Sequence, residues 1–93
     1  MKGVGMAWKA DGRRQEWPAP TIATLKRRRY HRGDFEQAME VALVRACTTG
    51  ETRYISATSL GYCVERKPAP FGRMCIKVYR TESGTYAAED GRS

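Results

Sequence analysis

Residues 34–50 read DFEQAMEVALVRACTTG, and this stretch decides the fold. Asp34 is a strong helix N-cap, and Gln37 three residues on completes a capping-box pattern. Phe35, Ala38, Met39, Ala42, Leu43, Ala46 and Cys47 recur at helical spacing and form one apolar stripe. Glu36, Gln37, Glu40 and Arg45 fall mainly on the opposite side, with the acids near the N-terminus, where the helix dipole favours them. Gly50, after Thr48 and Thr49, supplies a left-handed stop. The pattern predicts a helix over about 34–48, apolar along one face.

Downstream, residues 52–88 alternate with period two between turn signals, as strands do. Thr58-Ser59-Leu60-Gly61 and Thr81-Glu82-Ser83-Gly84 are short turns, and Lys67-Pro68-Ala69-Pro70-Phe71 is a stiffer loop. Read as a meander, the first turn sets Ala57 opposite Tyr62 and Ile55 opposite Val64. The Pro loop, centred on Ala69, sets Val64 opposite Met74, Tyr62 opposite Ile76, and Glu65 opposite Arg73. Pairing Arg80 with Thr85 sets Val78 opposite Ala87 and Tyr79 opposite Tyr86. All three pairings put Ile55, Ala57, Tyr62, Val64, Met74, Ile76, Val78 and Ala87 on one face, which the helix stripe can cover. Tyr54, Ser56, Cys63, Glu65, Arg73, Cys75, Lys77, Tyr79 and Tyr86 fall on the other. The fold class expected is α+β: a single domain with an antiparallel sheet of three to five strands and one main amphipathic helix on one face. The compact part is expected over 21–88 and a flexible tail over 89–93.

Upstream the signals thin out. Asp11-Gly12 is a turn signal flanked by Trp8 and Trp17, and Trp17-Pro18-Ala19-Pro20 is extended punctuation, so 1–20 reads as an arm or short hairpin. Two readings fit the stretch from Thr21. A strand puts Ile22, Thr24, Lys26, Arg28 and Tyr30 on one face, and the β-branched start favours it. A helix opened by Pro20 puts Ile22, Leu25 and Arg29 on one side.

A chain of 93 residues has room for one hydrophobic core, and a hydrophobic share of 41% suffices to build it. No run approaches the roughly 18 apolar residues of a membrane span, so no membrane partner is expected. The opening Met1–Trp8 starts like a signal peptide but loses its apolar stretch at Lys9 and Asp11, which predicts a cytoplasmic protein. Cys47, Cys63 and Cys75 are an odd, widely spaced set, better suited to reduced thiols than to a disulfide framework.

Catalysis is poorly supplied. The one histidine, His31, lies inside a basic run, no carboxylate pair stands out, and neither a dinucleotide fingerprint nor a Walker pattern is present. The expectation is therefore a protein that is not an enzyme, with no cofactor and no evident small-molecule substrate. Cys47, Cys63, Cys75 and His31 have zinc-ligand chemistry but lack the close spacing of structural zinc sites, so no metal is expected either. Cys47 belongs to the helix stripe, and the meander register sets Cys63 opposite Cys75.

Charge carries the functional signal. The net charge is +7, unevenly placed: residues 1–33 carry +7, 34–50 carry −2, 51–80 carry +4 and 81–93 carry −2. An acidic helix between two basic regions predicts a one-sided electrostatic footprint. Lys26, Arg27, Arg28, Arg29, Tyr30 and Arg32 are its densest part, and Arg forks suit phosphates and stack on bases. Arg73, Lys77 and Tyr79, with Tyr54 and Tyr86, form a second candidate, because aromatic side chains with interleaved cations hold unpaired bases. The expected partner is nucleic acid, bound electrostatically and with weak sequence preference. The alternative is a phage or mobile-element interaction module that binds and inhibits a host nucleoprotein complex, with Trp8, Trp17 and exposed tyrosines as anchors.

Overall fold

Asp34 accepts a hydrogen bond from the Gln37 backbone N–H at 3.2 Å and opens helix α2, Phe35–Thr49, as the sequence predicts. The computed structural model describes residues 14–23, 33–68 and 74–91. Helix α2 ends at Gly50, whose φ of 76° lies in the left-handed region and whose N–H reaches Ala46 O at 2.8 Å. Ala38, Met39, Ala42, Leu43 and Ala46 are its buried stripe. Three of these are alanines, which let the helix axis approach the sheet closely while Met39 and Leu43 fill the space between.

The sheet has five antiparallel strands: β1 Gln15–Trp17, β2 Arg53–Thr58, β3 Gly61–Glu65, β4 Cys75–Arg80 and β5 Tyr86–Asp90. Their order is β1-β5-β4-β2-β3. The single-domain α+β reading holds, with α2 on one face of the sheet. Ile55, Ile76, Val78 and Ala88 meet the α2 stripe from the sheet, while Tyr62, Val64 and Met74 pack at the margin. Burying a Leu, Ile or Met side chain stabilises by roughly 1.5–3 kcal/mol.

Four expectations need correction. The strands do not form a simple meander. The β2–β3 hairpin has the predicted register, Ala57 opposite Tyr62 and Ile55 opposite Val64, but β4 pairs with β2 and β5, not with β3. The chain leaves β3, crosses over, and enters β4 on the far side of β2, so β3 and β4 run parallel with β2 between them. The predicted pairings of Val64 with Met74 and Tyr62 with Ile76 do not form. Alternation could not reveal this, since Val64, Ile55 and Ile76 stand in one cross-strand row and face inward under either strand order.

The last hairpin is displaced by one residue. Arg80 pairs with Tyr86, Tyr79 with Ala87 and Val78 with Ala88. The cause is the turn: the Thr81 N–H bonds Thr85 O at 2.8 Å, and Gly84 takes a left-handed φ of 89°, so three residues, not four, form the loop. A one-residue slip exchanges faces. Tyr86 therefore turns into the core, and Ala87 faces away from the helix.

Thr21–Ala23 is helical, not extended. Helix α1, Ala19–Ala23, is a single short turn with Ile22 N–H bonded to Pro18 O at 3.3 Å. Pro20 fixes a helix-compatible φ where its missing N–H costs nothing, and this outweighs the β-branched Thr21 and Ile22. Trp17, expected as an exposed anchor, is 7% exposed: β1 pairs with β5, setting Trp17 beside Tyr86 at the edge of the core. The predicted hairpin around Asp11 lies outside the described residues.

Arg53 faces the core side and is 5% exposed. Its guanidinium bonds Glu51 Oε1 and Thr49 Oγ1, both at 3.2 Å, tying the end of α2 to the start of β2.

Candidate nucleic-acid interface

The residues expected to bind phosphate divide into two groups. Lys26, Arg27, Arg28, Arg29, Tyr30, Arg32 and Arg73 lie outside the described residues. The first six belong to the connection between Ala23, the last residue of α1, and Asp34, the cap of α2. Lys77 and Tyr79 are both on β4, two residues apart and on the side of the sheet away from α2.

A cross-strand row passes through Lys77. Glu65 pairs with Tyr54, Tyr54 with Lys77, and Lys77 with Glu89, so one cation sits between an aromatic ring and a carboxylate. The Lys77 ammonium also lies over the Tyr79 ring, 4.8 Å from its centroid, a cation–π contact. The Tyr79 hydroxyl donates to Glu89 Oε1 at 2.7 Å. This bond, then burial and the Glu89 charge, hold the phenol above its ordinary pKa, so it remains a neutral donor.

Glu89 and Glu16 join the sheet's outer side to β1. The Arg14 guanidinium reaches Glu16 Oε2 at 3.0 Å and Glu89 Oε1 at 3.8 Å, and the Thr85 hydroxyl donates to Glu16 Oε1 at 2.9 Å. Arg14, Tyr79, Arg80, Thr81, Glu82 and Ser83 line an open depression of about 480 Å³. Its charge is mixed, because Glu82 lines it and Arg14 is engaged by Glu16 and Glu89.

Tyr54, Lys77 and Tyr79 do come together, while Tyr86 leaves the group for the core. Burial, then a hydrogen bond with the Cys47 thiol, raises its pKa. Cys63 and Cys75 are not opposite one another: both pair with Ser56, from its two sides. Two strand spacings of about 4.8 Å separate them, well beyond disulfide reach. All three thiols are free, and among the described residues no three His, Cys, Asp or Glu side chains group to hold a metal ion.

Arg14, Glu16 and Glu89 were not legible as part of this surface. A three-residue strand carries too few alternations to announce itself, and the one-residue slip in β5 concealed that Glu89 stands beside Lys77. Among the described residues no helix is long and apolar enough to cross a membrane. No family model, curated protein or solved structure matches the chain.

Proposed function

We propose that this chain is a small, non-enzymatic nucleic-acid-binding protein whose main contact is the cationic run Lys26, Arg27, Arg28, Arg29 and Arg32, which falls between the two helices in sequence. The observation that carries the reading is the density of that run in a chain of net charge +7, next to a helix that is itself acidic. Arg and Lys so arranged neutralise successive phosphates and release the counterions condensed on them. The mixed charge on the far side of the sheet supports a one-sided footprint: Arg14 is engaged by Glu16 and Glu89. Lys77, stacked on Tyr79 beside Tyr54, offers a secondary cation flanked by rings on which an unpaired base can stack.

Binding is tested by fluorescence anisotropy of a labelled mixed-sequence DNA duplex, and of single-stranded DNA and RNA, across a salt series. The expected result is affinity that falls linearly on a log–log scale, with a slope of about 0.7–0.9 per phosphate neutralised. Replacing Arg27, Arg28 and Arg29 together by Ala reduces that slope by about 2–3. Absence of binding at low salt, or a slope unchanged in the triple variant, overturns the reading.

A further inference from the structure

We infer that Tyr54, flanked by Lys77 and Glu65, is a stacking site for one unpaired base of a single-stranded nucleic acid, and that it favours a base carrying an exocyclic amine. The inference rests on the nucleic-acid reading and deepens it. Tyr54 on β2 pairs with Glu65 on β3 to one side and with Lys77 on β4 to the other. Directly opposed residues in an antiparallel pair share a face, with Cβ atoms about 4.5–5.5 Å apart, so the ring stands between a cation and a carboxylate. Tyr54 and Lys77 are half-buried and Glu65 is exposed, so all three present surface on the side of the sheet away from α2.

The neighbouring groups are already engaged. Glu89, on the far side of Lys77, is bound by Arg14 and by the Tyr79 hydroxyl. The Lys77 ammonium lies over Tyr79, so Tyr54 is the ring of the two that carries no cation. Among the described residues no hydrogen bond or ring contact engages Tyr54, and no ion pair engages Glu65. A tyrosine ring so placed suits a base, because every base has a π-face and stacking demands no particular sequence.

The flanking charges decide the ligand. A duplex keeps its bases stacked on one another, so only an unpaired base can lie on the ring. The phosphate joining that base to the next nucleotide then falls to Lys77, as interleaved cations hold the backbone in single-strand sites. The Glu65 carboxylate accepts hydrogen bonds and donates none, so it meets an amine well and a carbonyl badly. Cytosine offers its N4 amine there, whereas thymine offers the O4 carbonyl at the same position, and the thymine N3–H lies between two carbonyl oxygens. The cationic run has no such preference, since phosphate contacts carry no base information. The two contacts therefore separate: the run supplies salt-dependent affinity, and Tyr54 with Glu65 supplies a preference for unpaired, amine-bearing bases.

Fluorescence anisotropy of the full chain at neutral pH tests the site, with oligodeoxycytidine and oligothymidine of about twelve nucleotides and a mixed-sequence duplex as ligands. Wild type should hold the cytidine strand about fivefold or more tightly than the thymidine strand at equal salt. Tyr54→Leu should weaken both single strands by about fivefold or more while leaving the duplex and the salt slope unchanged, since no phosphate contact is lost. Tyr54→Phe, which keeps the ring, should restore wild-type binding. Glu65→Gln, at an exposed position that the fold does not depend on, should narrow the difference between the two strands, because an amide accepts from one base and donates to the other. Single strands held as well by Tyr54→Leu, duplex binding that falls with single-strand binding in that variant, or equal affinity of the wild type for the two strands overturns this inference and leaves the run as the main contact. Absence of binding to all three ligands overturns the nucleic-acid reading itself.

Discussion

Tyr86 shows how much can depend on one residue's orientation. Its ring closes the core beside Trp17, and its hydroxyl interacts with the Cys47 thiol from α2. The phenol stands above its ordinary pKa of 10.0, first because it is buried and then because of Cys47, with Arg80 opposing the shift. Tyr79 is raised too, chiefly by its bond to Glu89. The folded chain thus holds these protons more tightly than the unfolded chain. The stability they contribute is complete below the unfolded pKa near 10 and is lost as pH rises through the folded values. Urea unfolding should therefore show wild type weakening above pH 10, and Tyr86→Phe should lose less over the same interval. At neutral pH that variant should lose about 1 kcal/mol, the worth of a single hydrogen bond. Equal alkaline losses in the two proteins would show that Tyr86 does not ionise on unfolding.

The β4–β5 turn works at the scale of an element, since its length decides which residues enter the core. The Thr81 hydroxyl lies 2.9 Å from that of Ser83 and 2.8 Å from that of Thr85, and Gly84 supplies the left-handed position that three residues require. No atom lies within 4 Å of a Cβ built on Gly84, so a substitution there tests backbone conformation free of any clash. Gly84→Ala should cost about 1–2 kcal/mol in chemical denaturation, and Gly84→Asn clearly less, because Asn tolerates the left-handed region. Equal costs would mean that the turn does not depend on this conformation. The same element explains what the sequence made legible and what it hid. Helix α2 was readable to within a residue because cap, stripe and stop agree over four turns. The β2–β3 hairpin was readable because Thr58 and Gly61 close a tight turn, with the Thr58 hydroxyl donating to Gly61 O and accepting from the Leu60 N–H. Inside and outside were readable for most of the sheet, since alternation reports faces. Strand order was not, because β3 and β4 flank β2 in the same rows, and α1 was not, because five residues are too few to show a helical period.

At the scale of the whole molecule, charge and fold are separable. Among the described residues the core is built from α1, α2 and the sheet, and its buried side chains include a single cation, Arg53, tied locally to Glu51 and Thr49. The cationic run instead adds charge to a chain already at +7, and excess charge of one sign destabilises a compact state through self-repulsion. Replacing Arg27, Arg28 and Arg29 by Ala should then leave the fold intact and raise the melting temperature at low salt. The difference should shrink as salt screens the repulsion, over lengths of about 10 Å at 0.1 M. Thermal melts of both proteins across the salt series used for binding make the comparison direct. A triple variant that binds less and melts higher separates the run's contact role from any part in the core. A variant that melts lower at every salt concentration would instead assign those arginines to the fold, and its weakened binding would no longer report phosphate contacts.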